Sequence, residues 1–150
     1  RGWLATAAAV SLTRTAHAAE KVLPTPASLA RELTSALKMN SPLLVMVSLE
    51  RCPFCNTARE NYLLPLRHQA GLIIVQLDMR SQQVVQDFAG ASLTHEQLIR
   101  RWGIKIAPTV LFFGPGGVEV AERLAGGYIP DFYGAYLDGR LQTARAAVLL

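Results

Sequence analysis

The sequence predicts an α/β fold, a central mixed β-sheet flanked by helices on both faces. Three observations predict it. Two apolar runs of strand length, residues 43–49 ("LLVMVSL") and 71–78 ("GLIIVQLD"), show no polar alternation, as strands buried on both faces do. Segments of helical pattern precede, separate and follow them. Near the C-terminus two more strand-like runs flank a Gly-Pro-Gly-Gly turn. Alternation that ends in a hairpin gives the order α-β-α-β-α-β-β-α, and one sheet covered on both sides accommodates it.

Each element has its own warrant. Over residues 27–39, Leu29, Leu33 and Leu37 recur every four residues along one face of an amphipathic helix, which Asn40, Ser41 and Pro42 stop. The first strand, 43–49, runs directly into the only two cysteines, Cys52 and Cys55. Residues 56–64 have helical composition, and Pro65 is expected to kink or end that helix, because its ring clashes with the carbonyl four residues back. After the second strand, residues 82–89 are expected as a short helix. Thr94 and Gln97 fit a capping box that opens a helix ending at Gly103. Strands at 110–113 and 118–124 follow, joined by the turn at 114–117. Pro130 suits the first position of a last helix, which Gly134 and Gly139 weaken.

At 150 residues with 51% hydrophobic content, one domain with a full core is expected. Fifteen basic and eleven acidic residues leave +4, with Arg100-Arg101 the single basic doublet. Nucleic-acid binding would need a clustered basic stripe, so that class is set aside. Residues 1–18 read as a signal peptide: an apolar run from Trp3 to Leu12, then the small-x-small site Ala16-His17-Ala18. An alanine-rich first helix is the alternative reading. Removal of 1–18 takes Arg1 and Arg14 and leaves +2 on a single domain spanning 19–150. No later apolar stretch has the length of a membrane span. Periplasmic export is therefore expected, and an oxidising compartment changes the meaning of a cysteine pair.

Three readings of Cys52 and Cys55 compete. Zinc needs about four ligands; His17 leaves with the leader, and His68 and His95 form no ligand pair, reading instead as surface or capping residues. A purely structural bridge closes too short a loop to remove much entropy from the unfolded chain. The reactive reading has a mechanism. With Pro53 at the first helical position, Cys52 lies at a helix N-terminus, where unpaired amides and the dipole favour a thiolate. Cys55 lies one turn in, within reach of a mixed disulfide at Cys52.

These residues resemble the thioredoxin superfamily over about residues 27–150. The likeness rests on "LLVMVSLERCPFC" and on "RRWGIKIAPTVLFFGPGGVEVAERLAGG", with Pro108 at the cis-proline position and Gly126-Gly127 near the family's late glycine. The resemblance implies a thioredoxin fold. It also implies that Pro108 packs beside Cys52 and that the Ala107 backbone pairs with a substrate strand. An ordinary strand-start proline is the alternative for Pro108. Met46 stands where thioredoxins carry a buried Asp. The pair Pro53-Phe54 looks more like glutaredoxins and periplasmic thioredoxin-like proteins of the sulfur-oxidation type. Glu50 matches an acidic position near the thioredoxin site, as a candidate proton carrier or merely a solvated turn charge.

The expected function is an exported thiol–disulfide oxidoreductase that reduces protein disulfides. Cys52 would be the nucleophile and Cys55 the resolving thiol, with Pro53, Phe54, Ala107 and Pro108 as the docking surface. No metal or organic cofactor is expected, and the electrons would come from a membrane dithiol donor. The rivals are an oxidase or isomerase using the same site, and a module that carries a soft metal such as Cu(I) on the reduced pair.

Overall fold

The computed structural model describes residues 21–127 and 130–150; the leader reading of 1–18 lies outside them. Helix α1 (Leu29–Lys38) starts where the Ser28 hydroxyl accepts the Arg31 amide, an N-cap worth about 1 kcal/mol. It buries Leu29, Leu33 and Ala36. Strand β1 (Leu43–Ser48) is buried throughout and forms the middle of the sheet. It pairs in parallel with β2 (Ile74–Asp78) and antiparallel with β5 (Thr109–Gly114). Two short strands, β6 (Val118–Glu119) and β7 (Leu124–Ala125), share the outer edge of β5. This is the mixed sheet expected from the apolar runs.

Alternation along β1 and β5 divides the core in two. Leu44, Met46, Val110 and Phe112 face one side, packing with Leu63, Tyr133, Leu137 and Leu141. Leu43, Val45, Leu111 and Phe113 face the other, against α1 and α4 (His95–Arg101). Helices therefore cover both faces, and no element is apolar without a partner layer.

The chain departs from expectation at four places. Pro65 does not end its helix. α2 (Pro53–Ala58), a π-helical turn (Arg59–Leu63) and α3 (Leu64–Ala70) run on without a break. The Leu64 amide donates to the Arg59 carbonyl, and this wider turn opens the backbone just before the proline ring. Residues 82–89 form no helix: β3 (Val84–Gln86) pairs with β4 (Ser92–Thr94) as a separate ribbon. The third departure is in the last strand, which is split by a bulge. Between Phe113↔Glu119 and Val110↔Leu124, five steps of outer chain oppose three of β5. Arg123 in the bulge turns inward and donates to the Trp102 carbonyl at 2.8 Å.

The fourth departure is His95, which is fully buried rather than a surface residue. Its Nδ1 accepts the Asp78 amide at 3.2 Å, a bond that only the unprotonated nitrogen can make. Burial lowers its pKa from the usual 6.5, against the attraction of Asp78. The unfolded chain thus binds this proton more readily than the folded one. Stability is full above pH 6.5 and declines as pH falls through that value. The expected result is a lower urea midpoint at pH 5 than at pH 7.5, with a smaller drop in His95→Asn, which keeps an acceptor but does not titrate. An equal drop in both proteins would assign the loss to other groups.

The last helix, α5 (Pro130–Val148), runs through both of its glycines. At Gly134 a Cβ would lie 3.0 Å from Tyr62 Cε1, so the missing side chain lets α5 approach the π-turn closely. Tyr62 and Tyr133 meet there with ring centroids 5.1 Å apart.

Candidate active site

Strand β1 delivers the chain into a tight turn. Arg51 takes a left-handed conformation, φ 58°, which costs a non-glycine residue about 1 kcal/mol. Cys52 then caps the helix with extended backbone angles, and its Sγ accepts the Cys55 amide at 3.2 Å. Pro53 follows in the first turn, where no amide is needed. Cys52 and Cys55 are joined as a disulfide with Cα atoms 5.2 Å apart. The two sulfurs differ in access: Cys52 is half-buried, whereas Cys55 is fully buried.

Across from Cys52 is the loop before β5. The Ala107 carbonyl oxygen is 4.0 Å from Cys52 Sγ, and the Ala107–Pro108 bond is cis. Two hydrogen bonds hold this loop: Thr109 Oγ1 donates to the Ile106 carbonyl at 2.7 Å, and the Gly126 amide donates to the Pro108 carbonyl at 2.7 Å. Gly127 fills the space behind. A Cβ there would lie 3.2 Å from Pro108 Cγ and 3.3 Å from Phe54 Cβ. A side chain there would push the two halves of the site apart by a few tenths of an ångström.

A half-exposed sulfur at a helix start, a buried partner one turn in and a loop from the far strand can support one chemistry well, thiol–disulfide exchange. A family model described as a thioredoxin-like domain matches residues 29–138, which spans α1, the cysteine turn, the Pro108 loop and the start of α5. The chain belongs to the thioredoxin-like family.

Solved structures of the same fold agree. A protein described as DsbH oxidoreductase is 18% identical, with a TM-score of 0.55 over 93% of this chain and 95% of that one. A thioredoxin from Thermus thermophilus is 20% identical at a TM-score of 0.55, covering 86% and 91%. Trxlp from Edwardsiella tarda is 23% identical at 0.50, covering 75% and 96%. At these identities the likeness is one of fold. No curated protein sequence matches the chain. A thioredoxin-like domain with a C-x-x-C disulfide at this helix start is a thiol–disulfide oxidoreductase, and its partners are protein thiols and disulfides. Among the described residues no helix is long and apolar enough to cross a membrane.

The thioredoxin-like site brings together most of the residues singled out from sequence. Phe54 is 52% exposed beside Cys52, Ala107 is half-buried, and Pro108 is buried under Gly127. Glu50 stands apart. It is exposed, pairs with Arg51 at 3.9 Å, and lines a polar cleft of about 720 Å³ to which neither cysteine contributes. Met46 is buried in the apolar core, with Gln76 as its neighbour on β2.

Two features escaped the sequence reading. Ile106, 46% exposed, lies in the loop just before Ala107, and its carbonyl accepts the Thr109 hydroxyl; its signal was a lone isoleucine in a turn. A polar chain crosses from α2 to β2: Arg59 donates to Asn56 and to Gln76 Oε1, and Gln76 Nε2 donates to Asp78 Oδ1 at 2.8 Å. These four residues are scattered over three elements, and no motif connects them.

Proposed function

We propose that the protein is exported to the periplasm and there reduces disulfides of other polypeptides. The Cys52 thiolate attacks one substrate sulfur, and the other substrate sulfur leaves as a thiolate. Cys55 then attacks Cys52 Sγ and releases the second substrate thiol. The substrate gains two electrons and the protein is left as the Cys52–Cys55 disulfide, which a dithiol donor in the membrane reduces again. Phe54, with Pro53, gives the apolar contact for the substrate, Ala107 offers its backbone, and Pro108 presents no amide to the thiolate. The exchange needs no metal or organic cofactor.

The observation that carries this reading is the unequal access of the two sulfurs. The direction rests on what surrounds Cys52. Beyond the disulfide, the polar contacts of its Sγ among the described residues are one amide, which favours a thiolate, and one carbonyl oxygen, which disfavours it. The intervening Pro53 and Phe54 carry no charge. A strong oxidant needs a strongly stabilised reduced form, and the helix start with its one amide supplies only about 1 kcal/mol of that stabilisation.

Equilibration with glutathione tests the direction: a potential below about −220 mV supports the reductase, and one near −120 mV makes the protein an oxidase. A second expected result concerns access. In the reduced protein iodoacetamide should modify Cys52 selectively, with an apparent pKa below the free-thiol value of about 8.5, while Cys55 labels far more slowly. Equal labelling of both sulfurs, read by mass spectrometry, would remove the division of roles.

A further inference from the structure

The strand order gives the redox turn two unlike flanks. β1 delivers Cys52 from the middle of the sheet, with β2 on one side and β5 and β7 on the other. On the β5 flank are the exposed Phe54 ring and Gly127, beside a cavity of about 230 Å³ where α5 meets the outer strand. The cations of that cavity are already paired, Arg140 with Glu122 and Arg123 with Glu119.

The β2 flank is the polar cleft of about 720 Å³. β1 and β2 run parallel, so the residues that follow them meet at the redox end and form its rim. Glu50 and Arg51 on that rim immediately precede Cys52, which puts it one residue, about 3.8 Å along the chain, from the nucleophile. The charges of the cleft do not cancel. Arg51, Arg59 and Arg80 line it together with only two carboxylates, Glu50 and Asp78. Arg59 donates to the side-chain oxygens of Asn56 and Gln76, which satisfy hydrogen bonds without neutralising its charge. Asp78 is held by Gln76. Arg80 is exposed, and its side chain makes no ion pair or hydrogen bond among the described residues. Arg51 has only Glu50, at 3.9 Å, with both side chains solvated, and such a pair is worth little.

We propose that this cleft docks an acidic segment of the polypeptide whose disulfide is exchanged at Cys52, with Arg51 and Arg80 meeting the acid and Arg59 as a fixed positive charge beneath them. The inference rests on the disulfide-exchange reading above and adds a preference among substrates to it. Exposed guanidiniums hold a free carboxylate weakly, because water and salt compete for both ions. A carboxylate on the chain bound at Cys52 is different, since the tether gives it a roughly millimolar effective concentration. Four residues of extended chain span about 13 Å, so the acid belongs within a few positions of the substrate cysteine.

Peptide disulfides that differ only by Glu-Glu or Gln-Gln, placed on one side of the reacting cysteine and then on the other, test it. On one side the wild-type protein should turn over the Glu-Glu peptide with a kcat/KM about fivefold above its Gln-Gln twin, the difference lying in KM. On the other side, which meets Phe54 and paired cations, the ratio should be near one. The fivefold ratio should fall toward one in the double variant Arg51→Gln, Arg80→Gln, survive in Arg80→Lys, and rise in Glu50→Gln, which removes the competing acid. Added salt should lower it too, as the screening length shortens from about 30 Å at 0.01 M to about 3 Å at 1 M. Arginines with a merely structural role would change the turnover of both peptides together and leave the ratio unmoved. A ratio that survives the double variant, a ratio of one on both sides, or an equal preference on both sides, which the net charge alone would give, overturns the docking surface. If the folded wild type turns over neither peptide of any pair, the exchange reading falls first and takes the docking surface with it.

Discussion

Cys55→Ala should hold its polypeptide partners covalently on Cys52. Release of a substrate requires a second thiolate to attack the mixed disulfide, and the only sulfur one helical turn away is that of Cys55. Without it the first half of the exchange proceeds and the second does not. Acid-quenched samples of cells that make the variant should then show high-mass bands on non-reducing gels that vanish with dithiothreitol. Turnover of protein disulfides should fall by orders of magnitude. Cys52→Ala should show no such bands, because the remaining Cys55 sulfur is fully buried and cannot begin the exchange. A carrier of Cu(I) behaves otherwise: either single substitution would abolish retention of the ion, and neither would capture a polypeptide. Bands absent from Cys55→Ala would end the oxidoreductase reading.

Phe112→Ala should cost about 4 kcal/mol of stability while leaving the redox surface in place. Phe112 is fully buried at the centre of β5, opposite Leu44 on β1, in the core layer that packs against α5. No small movement of a strand paired on both edges can refill the space, so the transfer loss and the cavity add. For a chain of this size the melting temperature should drop by roughly 10 °C. Phe54→Ala removes a similar ring from an exposed site, with an expected change in stability within about 0.5 kcal/mol. Its effect should appear in KM for protein substrates instead. Comparable melting shifts in the two variants would show that Phe54 is part of the core and not of a docking rim.

Local chemistry by itself determined the framework. Unalternated apolar runs require burial on both faces, so β1 and β2 were legible as buried strands before any packing was known. The Thr94 and Gln97 capping box forms as read, because its donors and acceptors lie within four residues of one another. The cysteine turn was legible for the same reason: a strand end, a capping sulfur and a first-turn proline are neighbours in sequence. Only the tertiary structure decided what depends on distant partners. Whether Pro65 would break its helix depended on a π-turn that widens the backbone just ahead of it. Residues 84–86 are too short to declare a strand, and they become one by pairing with Ser92–Thr94. His95 is buried because the Asp78 amide, 17 residues away, takes its ring nitrogen. The cavity beside Gly127 is likewise set by packing, since α5 and the bulge of the outer strand meet there. Short-range hydrogen bonds and periodicity are written along the chain, whereas a contact between distant elements exists only once they have packed.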